Sequence, residues 1–500
     1  MDKKVLIIGG GLGGLFTGAL LAKEGCRVEV LEKNSIVGGG LQCFMRHGEL
    51  FETGMHILGG FDEGGTLYKI CSHLGIMDRL SVRPCDDYAI DTITYLADGR
   101  TYDIPKGREA VVRYLSSSFP AESDGIAAYF DNLYRLTQEV DLFYLRKNSQ
   151  QVTLHSEQFL WSADRFINHY VADEQLRELL AYMNPMYGGV AGHTPAYIHA
   201  LINVLYINGA SRFNDGSQQL AEQLVDVIEN AGGRVYAGDG VEKIQVDDRL
   251  VNHVVTKKGK IYSADYYISD VHPCTLFGLM SEGAFSRAYM NRLSEIPNSY
   301  SAFSVYIKFK ENTFPYINHT CYCQEHVGMV WELWKYDESA DWPYGFMYMT
   351  PPSRVQGRYA SRMLVNCLMK YEVVEKWSDT YTGHRGREYE EWKQWCMKRV
   401  IGKLGKLYSG FEDTIEFTLA SSPLTIRDYY GAKEGTIYGF SKDCHNMALS
   451  QVPIFTKVRN LLLTGGNINL HGICGVPLTA IETAEAIVGR NVILDKINCV

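Results

Sequence analysis

The chain has 500 residues, a formal net charge of −9, and 46% hydrophobic against 21% charged residues. That is too long for one compact core and too apolar for a disordered chain, so two or more folded lobes are expected. The acidic balance excludes a long polyanionic partner such as nucleic acid, whose binding rests on Lys and Arg neutralising phosphates.

The opening MDKKVLIIGG carries two lysines, but glycines interrupt its apolar run before it reaches signal-peptide length. Val5 to Ile8 reads instead as a strand buried on both faces of a parallel sheet. Gly9, Gly11 and Gly14 then match G-x-G-x-x-G, and Leu15 to Lys23 read as a helix ending at Gly25. Such a helix points its first amides at a pyrophosphate, where backbone N–H groups and the helix dipole favour negative charge. Leu12, Gly13 and Leu15 belong to the same expected phosphate loop. A second strand, Arg27 to Leu31, ends in Glu32, placed to accept hydrogen bonds from ribose hydroxyls and to disfavour a 2′-phosphate.

Two stretches beyond the first βαβ unit are not needed for binding NAD. They are Glu32-Lys33 through Gly38-Gly39-Gly40-Leu41, and Phe51-Glu52-Thr53-Gly54-Met55-His56. They resemble signatures of the FAD-dependent phytoene desaturase, carotenoid isomerase and all-trans-retinol 13,14-saturase family. The resemblance implies FAD as cofactor. It also implies an α/β fold: a Rossmann-like FAD domain of the glutathione reductase and amine oxidase type, with a discontinuous α+β substrate domain. His56 corresponds to a histidine of the saturase branch, and is expected both to touch the flavin and to tune it or supply a proton. Gly38 and Gly39 let the main chain pass close to the cofactor.

Further along, Asp131 to Leu145 and Ala196 to Ile207 read as helices, the first with aromatic positions interleaved. Asp215-Gly216-Ser217 opens a helix that Gly232-Gly233 closes, and strands follow over residues 234–236, 241–246 and 251–256. The resemblance gives the Val241 backbone a contact with adenine. It also marks Arg427 to Gly431 as site-lining, with Tyr429 and Tyr430 as further catalytic candidates. Leu461 to Leu463 is a short buried strand and Thr464 to Asn467 a turn. Gly472 to Pro477 then approach a final helix ending near Val488. In the family that helix faces the flavin N1/O2 edge, so Gly466, Asn467, Gly475 and Val476 are expected at the cofactor. Asn467 departs from the Asp or Glu often found at its position.

The expected segments are 1–75, 201–290 and 421–500 for the FAD domain, and 76–200 and 291–420 for the substrate domain, which holds all seven tryptophans. The interior of that domain reads either as packed core or as an apolar tunnel for a long unsaturated substrate. No second strand, G-x-G-x-x-G and helix unit occurs, so a transient electron donor or acceptor is implied. The chemistry expected is hydride transfer at flavin N5 that saturates, desaturates or isomerises a C=C bond of an isoprenoid-like substrate. Two rivals share the fold: a flavin amine oxidase, and the flavin-free prenyl-lipid carriers of the Rab escort and GDP-dissociation-inhibitor type. Twelve cysteines without paired CxxC spacing give no metal site by the spacing rules. No apolar stretch reaches about 18 residues, so the expected address is the cytoplasm, with peripheral membrane contact only.

Overall fold

The computed structural model describes residues 3–147, 154–339, 341–446 and 452–499. Its first lobe is a five-stranded parallel sheet built from β1 (Lys4–Ile8), β2 (Arg27–Leu31), β3 (Arg234–Tyr236), β4 (Tyr266–Ser269) and β5 (Leu461–Leu463). The spatial order is β3-β2-β1-β4-β5. Val5 lies between Val28 and Tyr266, and Ser269 pairs with Leu463. Helices pack on one face and a three-stranded antiparallel sheet over 241–262, with the helices that follow it, on the other, so the first strand is apolar throughout rather than alternating; Val5, Leu6 and Ile7 are fully buried. The chain leaves β1 toward β2 on one side and reaches β4 on the other. The β1/β4 boundary is therefore the switch point, outside whose strand ends ligands bind in such sheets.

Helix α1 spans Leu12–Lys23 and begins three residues before the expected Leu15 because Gly11 serves as its N-cap. Helix α2 (Ala196–Ile207) and helix α3 (Gln218–Asn230) follow. Helix α4 spans Gly472–Val488, with a short helix Val492–Ile497 after it, so the glycines expected to approach it form its first turn. Helix α2 runs unbroken across residues 200 and 201, so the expected segment boundary there cuts a helix and must move outside it.

The expected helix over 131–145 is corrected. The helix runs over Ser123–Gln138, burying Ile126, Tyr129, Phe130, Leu133 and Leu136, and Asp141–Tyr144 forms a separate 3₁₀ turn. The break falls at Val140, with φ −110° and ψ 88°. The Thr137 hydroxyl caps it by donating to Tyr134 O, and lies 2.6 Å from the Tyr144 hydroxyl on the returning chain.

The second lobe is a mixed seven-stranded sheet whose strands fall over 91–104, 301–369 and 415–421. Strand Ser301–Phe309 sends Phe303, Val305, Ile307 and Phe309 to one face, where they pack with Trp342, Trp377 and helix Arg387–Leu407. Tyr306 on the opposite face meets Phe51, which ties this sheet to the first lobe. No helix among the described residues is long and apolar enough to cross a membrane.

Candidate functional site

The phosphate loop is shaped by backbone contacts that exclude side chains. Gly9 has φ +104°, and a Cβ on Gly14 would lie 2.1 Å from Gly9 O. A Cβ on Gly13 would lie 2.6 Å from Gly465 Cα, so the loops after β1 and β5 touch through glycine backbone. The Thr17 and Thr464 hydroxyls, 2.9 Å apart, hold this junction from beneath. No side chain caps the N-terminus of α1 through its N-cap residue, and its first turn carries no acid, which leaves amides facing the cleft.

Two carboxylates frame that loop. Glu32 accepts from Gly10 N at 2.8 Å and Asn34 N at 2.7 Å, which fixes the carboxylate at the end of β2. Asp270, at the end of β4, was not singled out from the sequence because no motif marks it. Its Oδ1 lies 2.5 Å and 2.1 Å from where Cβ atoms of Gly13 and Gly465 would stand, and its Oδ2 2.6 Å from that of Gly11. Burial raises Asp270 to about 7; the Gly14 amide opposes the shift, and Glu32 adds to it. An acid therefore sits at the helix end where a pyrophosphate belongs, in a position to carry a proton at neutral pH.

The C-terminal part of the cleft has the opposite sign. Helix α4 starts at His471, whose side chain does not cap it, so the first-turn amides again face outward. A cavity of about 590 Å³, counting its open mouth, lies against this turn. Phe143, Met186, Ile198, Leu201, Ile202 and Leu205 form its apolar wall, and Leu470 to Gly475 its floor. The polar groups around it are mostly spent. Thr66 donates to Phe143 O, Tyr206 to Ile57 O and Cys474 to Gly59 O. His471 differs: it is buried, and neither ring nitrogen has a protein partner. Burial, helped by the charge of Lys442, lowers His471 to about 3, so the ring is neutral. Lys442 is buried too and falls to about 8.

The expected residues distribute unevenly around this cleft. Gly38 N donates to Gly10 O at 2.7 Å, and a Cβ on Gly39 would stand 3.2 Å from Gly11 Cα. Gly40 lies beside the Tyr430 hydroxyl, and Leu41 is buried beneath. The strand start at Val241 packs by Gly240 on Lys33, next to Glu32. Gly466 touches Val476, while the Oδ1 of Asn467 is buried without a partner. A Cβ on Gly475 would lie 2.8 Å from Leu470 Cβ, which explains that glycine by packing.

Two of the catalytic candidates lie off the cavity wall. His56 does not line the cavity. Its Nδ1 is 2.9 Å from Ser217 Oγ and 3.2 Å from Glu52 Oε1, and Glu52 also accepts from Ser217 N, so the ring braces the start of α3. Tyr429 is half exposed and its carbonyl accepts from Asn34, which turns it away from the cavity. Tyr430 stays within the glycine loop region, hydrogen-bonded to Thr53. His471 was missed because only the fold reveals a polar side chain left unpaired inside an apolar wall.

A parallel sheet with a glycine loop at its switch point and two helix N-termini directed at one cleft has the layout of a dinucleotide-binding protein. The flavin-containing amine oxidoreductase family model matches residues 12–357, and the chain belongs to that family. It is 25% identical to a zebrafish (Danio rerio) all-trans-retinol 13,14-reductase, over 99% of this chain and 87% of the relative. A chloroplastic prolycopene isomerase of Arabidopsis thaliana is 23% identical over 87% of this chain and 73% of its own length. The fold matches that of a solved oxidoreductase from Methanosarcina mazei with a TM-score of 0.65 and 17% identity, covering 96% and 100% of the two chains. The chain is thus a flavoenzyme with FAD as cofactor. The residues present fit that group: the Gly9–Gly14 loop admits no side chain of its own and Asp270 beside it can donate when protonated, Glu32 is fixed at the end of β2, and no N-cap side chain covers the first turn of α4.

Replacing Gly14 with Val drives a side chain into Gly9 O, and the purified variant is expected to lose its near-ultraviolet and blue flavin absorption bands. Pyrophosphate binding favours protonated Asp270, so FAD affinity should fall as pH rises through about 7. Fluorescence titration of the apoprotein checks this. Asp270→Asn should bind FAD with an affinity that is flat across the same range.

Proposed function

We propose that this enzyme uses FAD to add or remove hydrogen across C=C bonds of an apolar isoprenoid polyene. In this reading Gly9, Gly11, Leu12, Gly13, Gly14 and Leu15 hold the pyrophosphate. Glu32 and Lys33 lie at the adenosine ribose, and Val241 lies at adenine. Gly38 to Leu41, Gly466, Asn467, Gly475 and Val476 enclose the flavin. When bound, the flavin supplies hydride transfer at N5; the chain's own residues bind and orient the substrate and exclude water.

The observation that carries this reading is the cavity itself. Its wall is aliphatic and aromatic, and it ends on the first turn of α4, whose N-cap side chain leaves the amides uncovered. The retinol and carotenoid relatives act on long conjugated chains, as their names state, and such a wall matches that chemistry. An amine substrate fits less well, because no carboxylate lines the cavity to hold an ammonium group. A substrate of this kind partitions into lipid, so it would be delivered from a membrane surface without any spanning helix. His471 and Lys442 give the flavin end of the cavity its polarity and a source of hydrogen bonds. Electrons would come from or go to a transient external partner.

The test is anaerobic: the dithionite-reduced, FAD-loaded protein is mixed with polyene alcohols and carotenes, and the oxidised protein, in parallel, with the same polyenes and with aliphatic amines. Loss or shift of polyene absorption, with reoxidation of the flavin, supports the reading. Flavin turnover with amines alone overturns it. Leu201→Trp fills the cavity wall and should keep FAD while lowering the rate with polyenes at least about tenfold, by blocking near-attack geometry. Stopped-flow reoxidation of the bound flavin reads that rate directly.

A further inference from the structure

Far from the phosphate loop, three side chains able to bind a metal meet on loops 250 residues apart. His193 belongs to the turn between residues 188 and 194 that leads into α2, and Asp443 and His445 to the segment that follows residue 435. One donor atom from each residue lies within 4.8 Å of the other two. His193 Nδ1 is 3.3 Å from Asp443 Oδ2, and the two imidazole rings stand edge to face with centroids 5.6 Å apart.

The backbone beneath this triangle is already fixed. Cys444 N donates to His193 O at 2.7 Å, Gly192 N donates to Asp164 Oδ1 at 2.7 Å, and Asp443 Oδ1 accepts from His445 N at 2.9 Å. His445 Nε2 donates to Gly192 O at 2.9 Å. That bond sets the tautomer, leaving a lone pair on Nδ1, and is the kind of outer hydrogen bond that orients metal-bound imidazoles. Bonds of about 2.0–2.2 Å to nitrogen and carboxylate oxygen bring tetrahedral donors to roughly 3.3–3.6 Å from one another. Both histidines are exposed, so side-chain rotation alone can close the triangle to that size.

We propose that His193, Asp443 and His445 form a binding site for a divalent transition-metal ion such as zinc, with water completing its shell. Two imidazoles and one carboxylate are a donor set for zinc-like ions rather than calcium or magnesium, which take oxygen ligands. The ion displaces the proton shared by His193 and Asp443 and replaces their hydrogen bond with two coordinate bonds. The site acts as a clasp. The segment it pins carries Tyr438, whose hydroxyl donates to Pro185 O, and Lys442, whose charge reaches His471 at the end of the cavity. Metal binding thus adds a further anchor between that segment and the 184–194 loop, and stabilises the folded protein by mass action.

Zinc retention by the FAD-loaded protein is measured by equilibrium dialysis and metal analysis, for the wild type and for His193→Ala, Asp443→Asn and the His193→Ala/His445→Ala double variant. The wild type should retain one equivalent more than the double variant at equal FAD content, and only the wild type should gain melting temperature with zinc. Magnesium should do neither. Exposed Cys499 contributes equally to all the proteins and cancels in the comparison. Equal retention by the wild type and the double variant overturns the site and leaves His193 and Asp443 as a surface ion pair.

Discussion

The structure depends on one backbone contact, the approach of Gly13 to Gly465. The loop after the first strand and the loop after the last touch where no Cβ can be accommodated on either side. This contact places the N-terminus of α1 and the first turn of α4 around one cleft, and it requires all five strands in register. The cleft is consequently framed by the two ends of the chain, and the second lobe is built from the segments between. Such non-local closure is costly in chain entropy, and the fully buried apolar strands beneath supply the compensating term.

Charge is graded along that cleft. At the nucleotide end Glu32 is held by two backbone amides, and Asp270 sits within the glycine loop as a carboxyl that burial shifts toward protonation. An anionic Asp270 would face a pyrophosphate across the helix amides that both seek, whereas a protonated one can donate to it. At the other end α4 presents its positive pole, and Lys442 adds a buried cation. Each helix end contributes about 0.3–1 kcal/mol toward an exposed anion and up to about 2 kcal/mol when partly buried. The low-dielectric cavity wall sustains the larger figure at α4.

The first βαβ unit was readable because its residues are consecutive and each has a local reason. The apolar run, the three glycines, the helix and the terminal acid occur in order, and the structure differs only by starting α1 three residues earlier. Gly472 to Pro477 were readable as the start of a helix, and the structure makes them its first turns. What escaped was long-range. Asp270 follows an unremarkable strand, and it matters only because that strand pairs with β1 and β5. His193 and His445 satisfy no ligand spacing, since they lie 252 positions apart in the sequence. His56 stood out through a motif, yet its contacts with Glu52 and Ser217 follow from how α3 docks. The break at Val140 was hidden because the apolar spacing continues through it into the 3₁₀ turn.

The cavity poses a different problem from the cofactor loop. An apolar wall binds a polyene without discriminating its two ends, because dispersion and the hydrophobic effect are non-directional. Orientation must come from the few groups that are both polar and unspent. Thr66, Tyr206 and Cys474 hydrogen-bond to backbone carbonyls, and burial pushes the Cys474 thiol up to about 12, which keeps it neutral. His471 is left with both nitrogens open and is held neutral by its burial and by Lys442. A neutral imidazole can donate from one nitrogen and accept at the other, so it can meet either a substrate oxygen or the flavin edge. An unpaired buried polar group costs about 1–3 kcal/mol, and filling the cleft removes that penalty. His471 is therefore the group of the cavity lining whose hydrogen-bonding demand the protein alone leaves unmet.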